Sequence, residues 1–257
     1  LRNPISSDLA VMRTSLIPGL LGVAVHNIKR QRPRVRIFET GLRFFPDATF
    51  TQRPALGLLI CGSQSPESWS GQSNSVDFYD VKGEVQALLA GVAKSLEFRS
   101  AVKSGLHDGQ TAEVLLGGAV IGVIGRIHPT AASELDLPRH TYVAELDLEA
   151  ITQRSVPQYQ DISRYPETRR DIAVVVDQAV PAMEVLALAR SAAGPGVSDA
   201  LIFDVYEGEG VAKNEKSLAI GLTFRDQSRT LTDEEISESL TQVIVSLKEK
   251  LGAKLRH

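Results

Sequence analysis

Residues 164–176 read RYPETRRDIAVVV, residues 200–206 read ALIFDVY, residues 218–224 read LAIGLTF and residues 231–236 read LTDEEI. The first run is continuous, apolar and largely β-branched from residue 172, and the next two have a period of two, so all three predict strands. A helix with Val185, Leu188, Ala189 and Ala192 on one face separates the first two, and Gly194-Pro195-Gly196 ends it. These runs predict a small βαββαβ domain over residues 161–257.

The last helix of this domain has a clear start and end. Thr232 and Glu235 form a capping box, and Gly252 is suited to end the helix before a short strand at residues 253–256. Two helices packed on one face of a four-stranded sheet would leave the other face uncovered. In the second strand we expect Leu201, Phe203 and Val205 to face the core, and Tyr206 to face the uncovered side.

Residues 1–155 predict an antiparallel sheet with helices packed on it. Apolar spacing predicts helices over residues 17–28 and from about Asp77 to Ser95, and a serine-rich loop over residues 64–74 contains Trp69. The strand candidates are residues 35–45, 55–61, 98–102, 112–116, 120–125 and 142–147. Residues 152–160 lack periodicity and predict a connection between the two domains.

Charge and composition restrict the class of protein. Net charge is −3 overall, +1 up to residue 160 and −4 after it, so nucleic-acid binding would depend on a local basic patch. Cys61 is the single cysteine, which excludes a disulfide within the chain and favours a reducing cytoplasm. We expect no membrane span, because apolar runs are short. The chain begins at Leu1 without a methionine, and we expect it to be truncated at its N-terminus.

Patterns for independent catalysis are lacking. The five histidines form no H-E-x-x-H spacing, and there is no nucleophile elbow or phosphate-binding loop of the G-x-x-x-x-G-K type. The glycines around residues 117–125 fit close strand packing. We therefore predict no catalytic, cofactor-binding or metal-binding residue in this chain.

Motifs along the whole chain resemble the C-terminal part of the β subunit of bacterial phenylalanyl-tRNA synthetases. The motifs are NPISSDL at residues 3–9, MRTSL at 12–16, FETG at 38–41, DFYDVKG at 77–83, IGVIG at 121–125, HP at 128–129, and the runs quoted first. The resemblance implies an α+β fold, with a class II synthetase-like module over residues 1–155 and a ferredoxin-like anticodon-binding domain over residues 161–257.

The class II nucleotide signatures are degenerate in this chain. Arg36 and Glu39 resemble the Arg-x-Glu pair that serves ATP in motif 2, but they are three positions apart, which places them on opposite faces of a strand. Residues 122–129 resemble motif 3, but we expect His128-Pro129 to interrupt the helix that should follow Arg126. We predict a synthetase-like scaffold without an adenylation site.

The resemblance also implies partners. It implies an α2β2 tetramer in which the α subunit carries out ATP- and Mg²⁺-dependent aminoacylation of tRNA-Phe, while this chain contributes subunit contacts and anticodon-region binding. The helix over residues 17–28 and the segment around Trp69 are weak candidates for the α contact.

The candidate tRNA-binding residues are one aromatic side chain, Tyr206, which could stack on a base, and nine cations that could contact phosphates. The cations are Arg164, Arg169, Arg170, Lys213, Lys216, Arg225, Arg229, Lys254 and Arg256. Each cation by itself fits a solvated surface charge better than a phosphate contact, and Arg170-Asp171 fits a structural ion pair equally well.

Two other functions remain open. The βαββαβ domain could be a regulatory module that binds a small amino acid, although such sites usually need glycine at the first strand-to-helix turn, where residues 177–180 read DQAV. A self-contained hydrolase or metal enzyme is the least favoured, because its motifs are missing.

Overall fold

A computed structural model describes residues 3–6, 10–46, 51–69, 74–92, 96–153, 159, 161 and 163–256. Contacts between residues divide the chain into two units, Leu1–Pro157 and Gln158–His257. Most of the predicted connection, residues 154–158 and 160, lies outside the described residues.

The described part of the first unit contains a six-stranded antiparallel sheet with helices on both of its faces. In chain order its elements are α1 (Ile17–Ile28), β1 (Val35–Phe44), β2 (Gln52–Cys61), α2 (Phe78–Leu89), β3 (Leu96–Ser100), β4 (Leu106–Leu116), β5 (Ala119–Ile127), α3 (Pro129–Glu134), β6 (Thr141–Asp147) and α4 (Leu148–Thr152). The strand order is β1-β2-β6-β5-β4-β3.

Both faces of this sheet are core. Along β6, Tyr142, Ala144 and Leu146 belong to the cluster that includes α2, whereas Val143 belongs to the cluster that includes α1 and α3. Every residue of β6 except Asp147 is buried, which is the pattern of a strand covered on both sides.

The helices follow the expected local signals. The predicted helix over residues 17–28 is confirmed as α1, with Pro18 in its first turn. The helix predicted from about Asp77 to Ser95 begins as expected, because Asp77 and Asp80 form a capping box, but α2 ends at Leu89. Residues 93–95 lie outside the described part of the chain.

The second unit has the ferredoxin-like order of elements. These are β7 (Thr168–Asp177), α5 (Ala182–Ala193), β8 (Val197–Tyr206), β9 (Glu215–Phe224), α6 (Asp233–Leu251) and β10 (Lys254–Leu255). Within its described residues the strands pair antiparallel in the order β10-β7-β9-β8. The predicted α+β fold class is confirmed.

One face of this sheet packs on both helices. Val174, Leu218, Ile220 and Leu222 from the central strands share a buried cluster with Val185 of α5 and Val243 of α6. The capping box of Thr232 and Glu235 is present, and Gly252 ends α6 with a left-handed backbone (φ 63°).

The predicted orientation of β8 is wrong for Leu201 and Phe203 and right for Val205 and Tyr206, which lie opposite Leu218 on the helix-facing side and Ser217 on the other side. Ala200 and Ile202 lie opposite Leu222 and Ile220 and belong to the helix-facing cluster, so Leu201 and Phe203 face the other way. The register shifts between Ile202 and Asp204, and this bulge changes the phase of the strand. Alternation of large apolar residues therefore did not reveal which side of β8 is buried.

Among the helices that the structure describes, none combines the length and apolar character that crossing a bilayer requires.

Candidate functional site

The pair resembling motif 2 cannot act together. Arg36 lies opposite Ile60 and forms an ion pair with Glu84 of α2, whereas Glu39 lies opposite Gly57 and forms an ion pair with Arg13. The two side chains are on opposite faces of β1, as the spacing predicts. Their charges are compensated within the chain, so these residues do not fit a shared ATP site.

The segment resembling motif 3 differs from the prediction in one respect. A short helix, α3, does follow Arg126, because Pro129 occupies its first position, where a missing N–H costs nothing. Proline restricts only the residue before it, and His128 is non-helical with ψ 134°. The Arg126 side chain is buried, and its Nε donates to the Arg139 carbonyl over 2.9 Å. It is therefore held within the structure.

Glu145 is a buried carboxylate on the α1 side of the first sheet. It accepts hydrogen bonds from the Ser15 hydroxyl (2.9 Å), the Leu16 backbone N–H (2.6 Å) and Arg43 (3.1 Å). Such a set of donors satisfies a buried charge and fixes the start of α1 against the sheet. Among the described residues no group of three His, Cys, Asp or Glu side chains could hold a metal ion.

The second sheet offers a different kind of surface. The side of this sheet that α5 and α6 do not cover carries Ala173, Ser217, Ala219, Gly221 and Thr223 along its two central strands. We call this side the open face. Its central residues are small, so longer side chains from the neighbouring positions can lie across it.

The first of these crossings joins Arg169 to Phe203. The Arg169 guanidinium lies 5.0 Å from the centre of the Phe203 ring, and Asp171 accepts from Arg169 Nε over 2.8 Å. Gly221 makes this possible, because a Cβ at that position would lie 2.7 Å from a guanidinium nitrogen. Phe203 remains 49% exposed. The pair presents a flat cation and a flat ring side by side.

The second crossing joins Tyr206 to Arg256. Tyr206 lies opposite Ser217 on β9, and the Arg256 guanidinium is 4.6 Å from its ring centre. The Tyr206 hydroxyl donates to the Glu209 carbonyl over 3.2 Å, which limits rotation of the ring. The open face therefore carries two stacked pairs of an aromatic ring and a guanidinium.

The predicted cations differ in where they lie and in what they contact. Lys254 also belongs to the open face, next to Val175, and forms an ion pair with Glu215 over 2.8 Å. Arg225 forms an ion pair with Glu167. Lys216 donates to the Gln178 carbonyl, and Arg164 and Lys213 have no ion pair with a described residue.

Two of the predicted cations belong to the start of α6. Arg170 lies opposite Leu222, on the helix-facing side, and its guanidinium is 2.9 Å from Asp233. Arg229 holds both carboxylate oxygens of Glu235 at 2.8 and 2.6 Å. Arg229, together with the Thr232 N–H, lowers the pKa of Glu235 to about 2. These contacts stabilise the helix end.

Phe203 was missed as a candidate binding residue. The sequence presents it as a core residue of an alternating strand, whereas the structure places it on the open face with Leu201, and the bulge that follows puts Tyr206 on the same face. Its neighbour in space, Arg169, is 34 positions away in the chain, so no local motif could have indicated the pair.

Two family models match the chain. Residues 1–148 match a model described as "Phenylalanyl tRNA synthetase beta chain CLM domain". Residues 163–256 match a model described as "Ferredoxin-fold anticodon binding domain".

Curated relatives match over the full chain. It is 44% identical to the phenylalanine–tRNA ligase beta subunit of Pseudomonas fluorescens over 259 residues, which cover 100% of this chain and 33% of the relative. Identity is 47% to the beta subunit of Hahella chejuensis, with 100% and 32% covered, and 45% to that of Methylococcus capsulatus, with 100% and 33% covered. The chain thus spans about a third of the length of these relatives.

Among solved structures, pyrrolysyl-tRNA synthetase from Desulfitobacterium hafniense aligns with a TM-score of 0.41 at 15% identity. The alignment covers 55% of this chain and 48% of that chain.

Proposed function

Because this chain belongs to the phenylalanyl-tRNA synthetase β-chain family, we propose that it is the noncatalytic C-terminal portion of a phenylalanine–tRNA ligase β subunit and binds the anticodon region of tRNA-Phe. The observation that carries the proposal is the open face of the second unit. An uncovered sheet with exposed aromatic side chains is a surface on which unpaired bases can stack.

Stacking would contribute part of the affinity of this surface. Phe203 and Tyr206 are exposed on one side of β8, and the guanidinium beside each ring extends its flat area. An unpaired base gains about 1–3 kcal/mol from stacking on such a side chain. The anticodon is a single-stranded loop and offers such bases.

Phosphate contacts would come from cations with little internal compensation. Lys213, Arg164 and Arg256 have no carboxylate partner among the described residues, so the full charge of each can face a phosphate. Arg169, Lys254 and Arg225 would first have to exchange a carboxylate partner for the phosphate. We expect Arg170, Arg229 and Lys216 to contribute least, because they hold elements of the domain together.

We infer that the predicted module, residues 1–155, is catalytic-like and contacts the α subunit. The whole enzyme would use ATP and Mg²⁺ at sites of the α subunit, in an α2β2 assembly in the cytoplasm. Trp69 is 99% exposed and Val23 of α1 is half exposed, which suits a protein contact. A β chain of full length should co-purify with its α subunit.

Measuring tRNA binding tests the proposal. The chain should bind tRNA-Phe in a salt-dependent way, and Phe203→Ala or Tyr206→Ala should each weaken binding about tenfold. Lys213→Met should weaken binding of all tRNA sequences and lower the salt slope by about one counterion.

Val205→Ala is the matched control for these variants. Val205 is also exposed on β8, at 54%, but it lies opposite Leu218 on the helix-facing side. The Val205→Ala variant should bind tRNA-Phe as tightly as the parent chain does. Equal losses for Val205→Ala and Phe203→Ala, or no salt-dependent binding of tRNA-Phe, would contradict the proposal.

No observation favours the amino-acid-binding alternative. The turn between β7 and α5 contains no glycine, and the Asp177 carboxylate accepts the Ala179 N–H over 2.8 Å within the turn itself. An amino-acid ligand would have to displace this contact.

A further inference from the structure

A cleft in the first unit has features that neither catalysis nor tRNA binding accounts for. It lies between the first turns of α2 and the strands β3 and β4, and its volume is about 440 Å³. This is the size of a small-molecule site. Its walls include Lys82, Tyr79, Phe98, Ser100, Gln110 and Tyr142.

Lys82 is the cation that lines the cleft. Its ammonium lies 5.0 Å from the centre of the Phe98 ring and 6.0 Å from that of Tyr79. No described carboxylate forms an ion pair with it. Partial burial lowers the pKa of Lys82, so the cleft holds a cation at some cost in solvation. The rings offset part of this cost, and an anion would offset more.

Several polar groups of the cleft have hydrogen-bond donors that no described residue uses. Gln110 accepts from the Tyr142 hydroxyl over 2.9 Å, which leaves its amide nitrogen without an acceptor among the described residues. The Ser100 hydroxyl likewise has no described partner. Asp77 also lines the cleft, and its Oδ1 accepts the backbone N–H groups of Tyr79 and Asp80 at 2.7 and 3.1 Å. The side chains of the cleft with unused N–H or O–H groups therefore include Lys82, Gln110 and Ser100.

The remaining wall is aromatic. Tyr79 is 72% exposed, and Phe98 lies on the other side of the Lys82 ammonium. An exposed ring beside a free cation suits a ligand that is flat at one end and negatively charged at the other.

We propose that this cleft binds a small organic anion, in which one carboxylate or phosphate group on a planar ring contacts Lys82, Gln110 and Ser100, while the ring packs on Tyr79. This site is separate from the open face and does not depend on the proposed tRNA function.

An NMR titration of the whole 257-residue chain with benzoate, phenyl phosphate and benzamide tests the proposal. One or both anions should shift the signals of the cleft residues, and benzamide should bind at least about tenfold more weakly because it lacks the charge. Comparing the affinities of benzoate and phenyl phosphate shows whether the cleft prefers a carboxylate or a phosphate group. Saturation with the bound anion should raise the pKa of Lys82, followed through its Cε chemical shift, because the anion stabilises the protonated form.

Lys82→Met removes the charge and keeps most of the stem, and should lower affinity about tenfold. Lys103→Met is its control, because Lys103 is a lysine of the same unit that contacts Glu113 outside the cleft. Benzamide binding as tightly as benzoate, no binding of either anion at millimolar concentration, or equal losses in both lysine variants would overturn the proposal. If Lys82→Met does not fold, the pKa of Lys82 in the parent chain still tests the proposal. A pKa that is the same with and without the saturating anion would also overturn it.

Discussion

The two sheets that the structure describes are both antiparallel, but helices of the same unit cover both faces of the first sheet and one face of the second. In the first, neighbouring residues of β6 such as Val143 and Ala144 are both buried, in different clusters. In the second, Leu218 is buried under helices, while its neighbour Ala219 belongs to the open face. A sheet covered on both faces serves as a scaffold whose ligands bind at edges and clefts, whereas a sheet covered on one face offers a broad surface.

Core truncations should show this contrast most strongly. Leu59→Ala and Leu146→Ala remove side chains from opposite faces of the first sheet, and Leu218→Ala removes one from the helix-facing side of the second. Each should cost about 3 kcal/mol, because each leaves a cavity. Ala219→Ser on the open face should cost less than about 0.5 kcal/mol. Hydrogen exchange resolved for each unit measures these values. A large loss for Ala219→Ser would show that the open face is covered.

Glycine substitutions should give a smaller but equally clear difference in stability between the two sheets. In the first sheet, a Cβ at Gly122 would collide with the Glu145 carbonyl oxygen and lie 2.9 Å from the Leu146 Cα. Gly122→Ala should therefore cost about 2 kcal/mol, because backbone must move. In the second sheet, Gly221→Ala meets only the movable end of Arg169, and its stability should change by less than about 0.5 kcal/mol.

Gly221→Ala also tests the binding surface. The added methyl should displace Arg169 from Phe203 and weaken tRNA binding, while thermal unfolding stays close to that of the parent chain. Similar stability losses at Gly122 and Gly221 would remove the distinction between the two sheets.

The smallest expected effect is a pH dependence of stability that comes from α6, one of the helices covering the second sheet. The pKa of Glu235 is lowered from 4.5 to about 2 by Arg229 and the Thr232 N–H. A lowered pKa means that the contact stabilises the fold above pH 4.5 and is lost as pH falls toward 2. The difference in melting temperature between the parent chain and Glu235→Gln should therefore shrink over that range. Glu234→Gln, in the same turn, is the control, and an equal pH dependence in both variants would contradict this assignment.

Local rules were sufficient where a few neighbouring residues decide the structure. Three such features are the capping box of Thr232 and Glu235, the glycine end of α6, and the placement of Arg36 and Glu39 on opposite faces of β1. In each, the spacing of a few residues along a helix or strand fixes where the side chains point. The prediction that His128-Pro129 would interrupt the helix was wrong. Proline restricts the backbone of His128, but a helix can begin at Pro129 itself.

The sequence by itself determined the order of elements in the second unit, the two ends of α6 and the family to which the chain belongs, because periodicity and motifs are local properties. Only the tertiary structure decided which residues of β8 lie on the open face. A bulge shifts which side each following residue faces, although the sequence still alternates as before. The tertiary structure also decided that Arg169 meets Phe203 and that Lys82 lies between two rings, because these contacts join residues from different elements.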